Sequence, residues 1–269
     1  MSLPIDLILI RHGESEGNAA KRLSEKGDDT AFTALTTGRH SRSYRLSKKG
    51  REQAIMAGKW IQEEFSKDGA TFDRFITSEY IRAMETSALL GLPNASWFRN
   101  FYLTERDWGD IESSPENERN EKFKDALEMR LIEPFFWRPP NGESLAQLCL
   151  RLDRVLNTLH RECSDMRVVI VCHGEVMRAF RVLLERMPQQ RFKEIALNKN
   201  GEGVHNCEIL HYTRRDPETG EVVPHANWMR RVRPTTSPVW NTGWQKIERP
   251  RYSNEALLEI VEDTPAILE

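Results

Sequence analysis

Two short β-prone runs, each ending in a histidine, constrain this chain more than any other feature of it. Leu7-Ile8-Leu9-Ile10 leads into Arg11-His12-Gly13, and Val168-Val169-Ile170-Val171-Cys172 leads into His173-Gly174. Apolar runs of this length, closed by polar and glycine residues, read as buried strands that feed loops. Helical patterns lie around them. Residues 47–65 place Ala54, Ala57, Ile61 and Phe65 on one face, residues 143–160 place Leu145, Leu148, Leu152, Val155 and Leu159 on one face, and a third pattern covers residues 176–187. Residues 72–77 and 207–212 are further strand candidates. Strands alternating with helices of this length predict an α/β fold, a three-layer α/β/α sandwich with a mostly parallel central sheet.

Two stretches do not fit that scheme. Residues 19–45 are polar and rich in Thr, Ser, Arg and Gly, and they separate the first motif from the first helix by more than an ordinary connection requires. They read as an inserted loop, a lid or substrate-facing segment. Beyond Tyr212, Asp216-Pro217-Glu218-Thr219-Gly220 reads as a hairpin turn, followed by a proline-punctuated tail that carries Trp228, Trp240 and Trp244. Three tryptophans argue for a tail that docks, either on the body of the protein or on the second subunit of a homodimer. The expected division is a main domain over residues 1–212 and a C-terminal extension over residues 213–269.

Charge and cysteine usage exclude several classes. The 269 residues carry a formal net charge of −2, so no global basic field recruits nucleic acid or an anionic membrane. The N-terminal apolar run is too short to span a bilayer or to form a signal-peptide core. Cys149, Cys163, Cys172 and Cys207 lack Cys-x-x-Cys spacing, which argues against a zinc cluster or disulfide framework and fits a reducing cytoplasm. His40, His160, His205, His211 and His225 show no metal-ligand spacing. No metal and no cofactor is expected.

In a doubly wound sheet, side chains just past the carboxyl ends of neighbouring strands converge on the ligand crevice. If the two histidine-bearing strands are neighbours, two imidazoles and an arginine meet there. That set suits phosphoryl transfer, which needs an in-line nucleophile and positive donors around the equatorial oxygens. His12 suits the nucleophile, with its second ring nitrogen tied to a backbone carbonyl. Arg11 and Arg82 suit the phosphate, since a guanidinium grips it bidentately. His173 would donate to a third oxygen in its charged form. Ser15 and Asn18 are neutral donors within reach, and Gly13 and Gly174 admit the backbone close to the anion. A carboxylic acid held neutral beside the phosphate would protonate the leaving group. Glu105 is the candidate and Asp107 the alternative.

These motifs resemble the histidine phosphatase superfamily, which includes the cofactor-dependent phosphoglycerate mutases and related phosphatases. Arg11-His12-Gly13-Glu14-Ser15-Glu16-Gly17-Asn18 looks like the signature of the phosphorylated histidine. Ser78-Glu79-Tyr80-Ile81-Arg82 looks like the helix start with the second phosphate arginine, although Glu79 stands where proline is common. Leu103-Thr104-Glu105-Arg106 resembles the proton-donor segment, and Val171-Cys172-His173-Gly174 the second-histidine motif. The resemblance covers the chain from about Leu7 to Tyr212. It implies a phosphohistidine intermediate, no metal, and a small phosphorylated substrate touched by Ser15, Asn18, Gly174 and Arg106. The pairing of residues 105–109 with Phe135-Phe136-Trp137-Arg138-Pro139-Pro140 looks most like a phosphatase branch. No counterpart of the mutases' arginine-rich substrate segment stands out, which favours a phosphatase over a phosphoglycerate-type mutase. A phospho-ligand-binding protein without turnover is the reading from a different class. Arg39, Arg42 and Arg45 read as a solvated loop, and Arg230, Arg231 and Arg233 as surface charge.

Overall fold

The apolar run at residues 7–10 forms the middle of a strand, β1 (Asp6–Arg11), whose side chains alternate between two cores. The structure is a computed structural model that describes residues 2–36, 39–67, 69, 71–112, 114–197 and 203–266. After β1 come α1 (Glu16–Ser24), α2 (Thr30–Thr36), α3 (Lys48–Ser66), β2 (Arg74–Ser78), α4 (Ile81–Leu89), β3 (Trp97–Asn100), α5 (Glu116–Lys122), α6 (Lys124–Ile132) and α7 (Leu145–Glu162). The second half holds β4 (Arg167–Cys172), α8 (Gly174–Glu185), α9 (Gln189–Leu197), β5 (Ile209–Thr213), β6 (Trp228–Arg233), β7 (Trp240–Asn241), β8 (Gln245–Lys246) and α10 (Asn254–Glu262).

The sheet order is β3-β2-β4-β1-β5-β6-β7, with β8 also paired to β6. The four strands from β3 to β1 are parallel, and β5 to β8 add antiparallel pairings. Because successive strand residues face opposite sides, Leu7 and Leu9 join Val168 and Ile170 under α7 and α8, while Ile8 and Ile10 join Val169 and Val171 under α3 and α4. This is the α/β sandwich with a mostly parallel centre that the sequence implies. Arg11 pairs with Cys172 in the β1–β4 register, so His12 and His173 leave adjacent strands at the same level.

Helix starts follow local chemistry. Ser47 caps α3 through the Gly50 amide, and Ser144 forms a reciprocal capping box with Gln147 at α7. The same device corrects the reading of residues 19–45 as a loop. Ser15 and Asn18 form a capping box that launches α1, and α2 follows, so much of the segment is helical. Its polar composition reflects solvent-facing helix surfaces. Tyr44 and Leu46, both buried, return the chain to the body.

Beyond Thr213 the chain continues the same sheet. The Asp216 turn closes through the Gly220 amide to the Asp216 carbonyl (2.9 Å), and β6 then pairs with β5 from Trp228 to Val232. Arg230 and Arg231, read as surface charge, are buried. Arg230 bonds Glu64 (2.7 Å) and lies over the Trp244 ring (4.5 Å), and Arg231 bonds Glu208. Each finds an acid elsewhere in the chain, half-buried Glu64 and fully buried Glu208, which a local sequence pattern does not reveal. Trp244 also meets His211, ring centroids 4.8 Å apart. In α10, by contrast, no residue is buried. No helix of the described residues is long and apolar enough to cross a membrane.

Candidate active site

His12 sits just past the end of β1, buried, with its backbone amide bonded to the Cys172 carbonyl (3.0 Å). Its Nδ1 lies 2.7 Å from the Gly13 carbonyl and so carries the proton, leaving Nε2 as the nucleophilic lone pair. Burial, with Arg82 and Arg11 nearby, pushes its pKa well below the usual histidine range. The imidazole is therefore neutral at physiological pH. Gly13 serves packing rather than anion approach. A Cβ there would stand 2.3 Å from the Gly50 carbonyl oxygen, and its amide is already spent on Thr86 Oγ1 (3.1 Å). Glu14 closes the loop by accepting from Ser47 Oγ (2.9 Å) and pairing with Arg22 and Lys49.

Two guanidiniums flank His12. Arg82, in the first turn of α4, donates from Nε to His12 Nε2 (3.1 Å) and from Nη1 to the Ser41 carbonyl (2.8 Å), and it lies over the Tyr80 ring. Arg11 donates from Nη1 to the Val204 carbonyl (2.6 Å), while its buried Nε has no partner among the described residues. Gly174 lies beside it, where a Cβ would make ordinary contact with the guanidinium at 3.4 Å.

His173 lies against His12, ring centroids 5.1 Å apart, with Nε2 2.7 Å from Ser78 Oγ. Its Nδ1 is buried without a partner among the described residues. Burial and the cations Arg82 and Arg11 hold it well below the usual range, so the charged form expected from sequence is not the resting form. A low dielectric and two like charges outweigh the intrinsic basicity of the ring.

Glu105 lines the same cavity as Arg11, His12 and Arg82, and its Oε1 accepts from the Arg106 amide (3.0 Å). Burial raises its pKa, and the neighbouring Glu175 raises it further against the pull of Arg82 and Arg11. Asp107 is exposed, accepts from the Gly109 amide (2.8 Å), and lies outside this cavity. Arg106 is also outside. Its donors are used by the Glu143 carbonyl (2.8 Å), the Trp137 carbonyl (3.0 Å) and Glu175 (3.3 Å), and its guanidinium stacks near Trp108. Its expected contact with substrate is thereby corrected: successive residues of this extended segment point opposite ways.

The cavity measures about 460 Å³. Ser15, Asn18 and Gly174 line it as expected. Sequence reasoning missed its outer end, where Lys21 of α1, Arg119 of α5, Arg130 of α6 and Arg178 of α8 gather with Phe32, Ile111 and Leu127. Arg178 is paired with Glu175 (2.7 Å) and Arg119 with Glu116 (3.0 Å), whereas Arg130 stacks on Trp108 (5.0 Å). Glu112 lines the cavity too, its pKa raised by burial. Asn206 was also missed. It donates to the His12 carbonyl (3.0 Å) and to Asn18 Oδ1 (3.2 Å). These groups come from five helices and two turns and leave no contiguous signature.

Residues 7–220 match the histidine phosphatase superfamily (branch 1). The 2,3-bisphosphoglycerate-dependent phosphoglycerate mutase of Methylorubrum populi is 33% identical over 187 residues, which cover 67% of this chain and 79% of that protein. Among solved structures, a mycobacterial glucosyl-3-phosphoglycerate phosphatase complexed with VO3 aligns with a TM-score of 0.57 and 20% identity, covering 77% of this chain and 90% of that one. A structure titled mycobacterial hydrolase 2 aligns with a TM-score of 0.60 and 18% identity over 98% of both chains. The chain belongs to the histidine phosphatase superfamily.

Proposed function

We propose that the protein is a phosphatase that hydrolyses a phosphomonoester through a phosphohistidine formed on His12. The observation that carries this reading is the pair of nitrogens on one ring: Nδ1 committed to the Gly13 carbonyl, and Nε2 facing Arg82 in the cavity. An incoming phosphate displaces the Arg82–Nε2 contact, and the freed guanidinium takes a phosphate oxygen. Arg11 supplies the second guanidinium. With the Ser78 hydroxyl donating to His173 Nε2, the unpartnered Nδ1 of His173 carries the proton and is a neutral donor toward the same anion.

Glu105 protonates the leaving alkoxide as His12 attacks, then accepts a proton from the water that cleaves the phosphohistidine. Its raised pKa supports the first half of that cycle, and the nearby guanidiniums support the second. A phosphoglycerate-type phosphomutase is the second reading, favoured by the cations at the outer end of the cavity and by the similarity to mutases. Three of those four cations are already paired with acids, which supports water over the free hydroxyl of a second phosphorylated substrate as the acceptor. The outer cations also suit an ester whose body bears an acidic group.

The two readings separate in ¹⁸O-labelled water. A phosphatase releases inorganic phosphate carrying one ¹⁸O per turnover. A mutase moves phosphate between hydroxyls without taking up the label, and that result would replace the first reading with the second.

A further inference from the structure

The turn formed by residues 203–208 contributes no reacting side chain, yet it holds both the nucleophile loop and a phosphate arginine. The Val204 carbonyl accepts from Arg11 Nη1 (2.6 Å), the Asn206 side chain donates to the His12 carbonyl (3.0 Å), and the Cys207 amide donates to the Arg11 carbonyl (3.1 Å). The Glu208 carbonyl accepts from the Arg11 amide (3.1 Å). Cys207 keeps a positive φ of 55°, a conformation a non-glycine residue holds only when its surroundings enforce it.

The enforcing group is the Glu208 carboxylate, which has no solvent exposure. Its Oε2 accepts from the His205 amide (2.9 Å), closing the turn on itself. Its charge is met from β6. Arg231 donates from Nε to Oε1 (2.7 Å) and pairs through Nη2 (2.6 Å), and Arg233 Nε donates to Oε2 (3.0 Å). Arg231 Nη2 also bonds the Gly203 carbonyl (3.0 Å), so one guanidinium grips both ends of the turn. Trp240 of β7 covers Arg233 at 4.1 Å, and Thr242 brackets Arg231 through its amide to the Arg231 carbonyl (3.1 Å) and its hydroxyl to the Arg231 amide (3.0 Å). A buried carboxylate is tolerable only when paired and hydrogen-bonded, so the turn takes this shape only with β6 in place. All of these β6 and β7 residues lie beyond residue 220, where the family match ends.

We propose that the C-terminal extension is part of the catalytic machinery at one remove: Arg231 and Arg233, acting through Glu208, are positioning residues that fix the Arg11 guanidinium and the His12 backbone for phosphoryl transfer. The proposal rests on the phosphatase reading for the roles of Arg11 and His12. A guanidinium that drifts by an ångström loses most where charge spreads over the transferring phosphoryl group, so the clamp acts on the transition state more than on substrate binding.

The test uses the full chain with Glu208→Gln, which keeps the shape and removes the charge, and Arg233→Met as a milder variant that leaves Arg231 in place. Glu208→Gln should lower kcat by roughly ten- to a hundredfold, with KM within about threefold, and weaken vanadate, a transition-state analogue, by the same factor as kcat. Arg233→Met should show a smaller loss in the same direction. On an Arg11→Lys background, Glu208→Gln should cost less than about twofold, since the group it positions is already altered. Losses that multiply independently of Arg11, or a lowered melting temperature with vanadate affinity intact, would overturn the proposal. Nitrogen NMR of the His12 imidazole reads the same clamp without turnover. Its resonances should move in Glu208→Gln, and unmoved resonances would also overturn the proposal. If the wild type hydrolysed no ester and bound no vanadate, the phosphatase reading would fall, and the His12 signals would still decide whether the clamp exists.

Discussion

His12 and Glu105 are pushed in opposite directions by the same burial: the imidazole well below its usual pKa, the carboxyl above its own. In the proposed mechanism, attack requires neutral His12 and protonated Glu105. The acid limb of the rate profile should therefore fall at a pH below the ordinary histidine range, and the alkaline limb should follow loss of the Glu105 proton. Glu105→Gln should remove the alkaline limb and lower kcat for an alkyl phosphate by about 10²–10⁴-fold. In kcat/KM, which reads phosphoenzyme formation and not the later water step, the loss should be much smaller for p-nitrophenyl phosphate, whose leaving group needs no proton. Equal losses on both esters would show that Glu105 is not the acid. The residues proposed for these roles were legible in sequence because each lies in its own short string, His12 just past a strand and Arg82 in the first turn of a helix. Arg106 was misplaced because the string Glu105-Arg106 does not state which side chain turns inward, a choice made by Glu143, Trp137 and Glu175 from other parts of the chain.

At the scale of elements, the strand and helix patterns carried most of the fold. Residues 72–77 and 207–212 gave strands shifted by one or two residues, and α3, α7 and α8 appeared near the expected ends. The patterns missed short helices, α1, α2, α5, α6 and α9 among them, because such helices lack an apolar stripe long enough to read. Leu152 of α7 is fully buried between this helix and the sheet. Leu152→Ala should destabilise the protein by ~2–5 kcal/mol through the lost transfer energy and the cavity left behind. Urea unfolding measures it, and a change below about 1 kcal/mol would mean that the core here is looser than its packing implies. Gly50→Ala is the sharper case for the site. Its Cβ would stand 2.0 Å from the Glu14 carbonyl oxygen, so α3 must retreat from the nucleophile loop. Activity should fall in this variant more than stability does, as read by kcat beside the melting temperature. A melting point shifted without loss of kcat would contradict that coupling.

Across the whole molecule, burial of neutral histidines ties stability to pH. The pKa values of His12, His173 and His211 are all lowered in the fold, in each case by burial first. An unfolded chain takes up protons at these rings below about pH 6.5, and the folded chain does not. Their contribution is thus present above about pH 6.5 and is lost as pH falls toward the folded values. Asp6, held down to about 2 against burial by His211, Thr213 and Arg167, adds a loss at still lower pH, below its unfolded value. The melting temperature should decline as pH drops from 7 to 5, and a flat profile there would refute neutral burial of the three rings. The sheet that buries them also joins β5 to β6, a long-range pairing that no local motif announced, and through Glu208 it reaches the back of the site. The account as a whole rests on His12 as the atom that takes phosphate. Trapping with alkaline detergent during turnover of a ³²P-labelled ester tests it most directly. The account predicts an acid-labile, base-stable protein label that is absent from His12→Ala, and an unlabelled wild type, or a label that persists in His12→Ala, would contradict it.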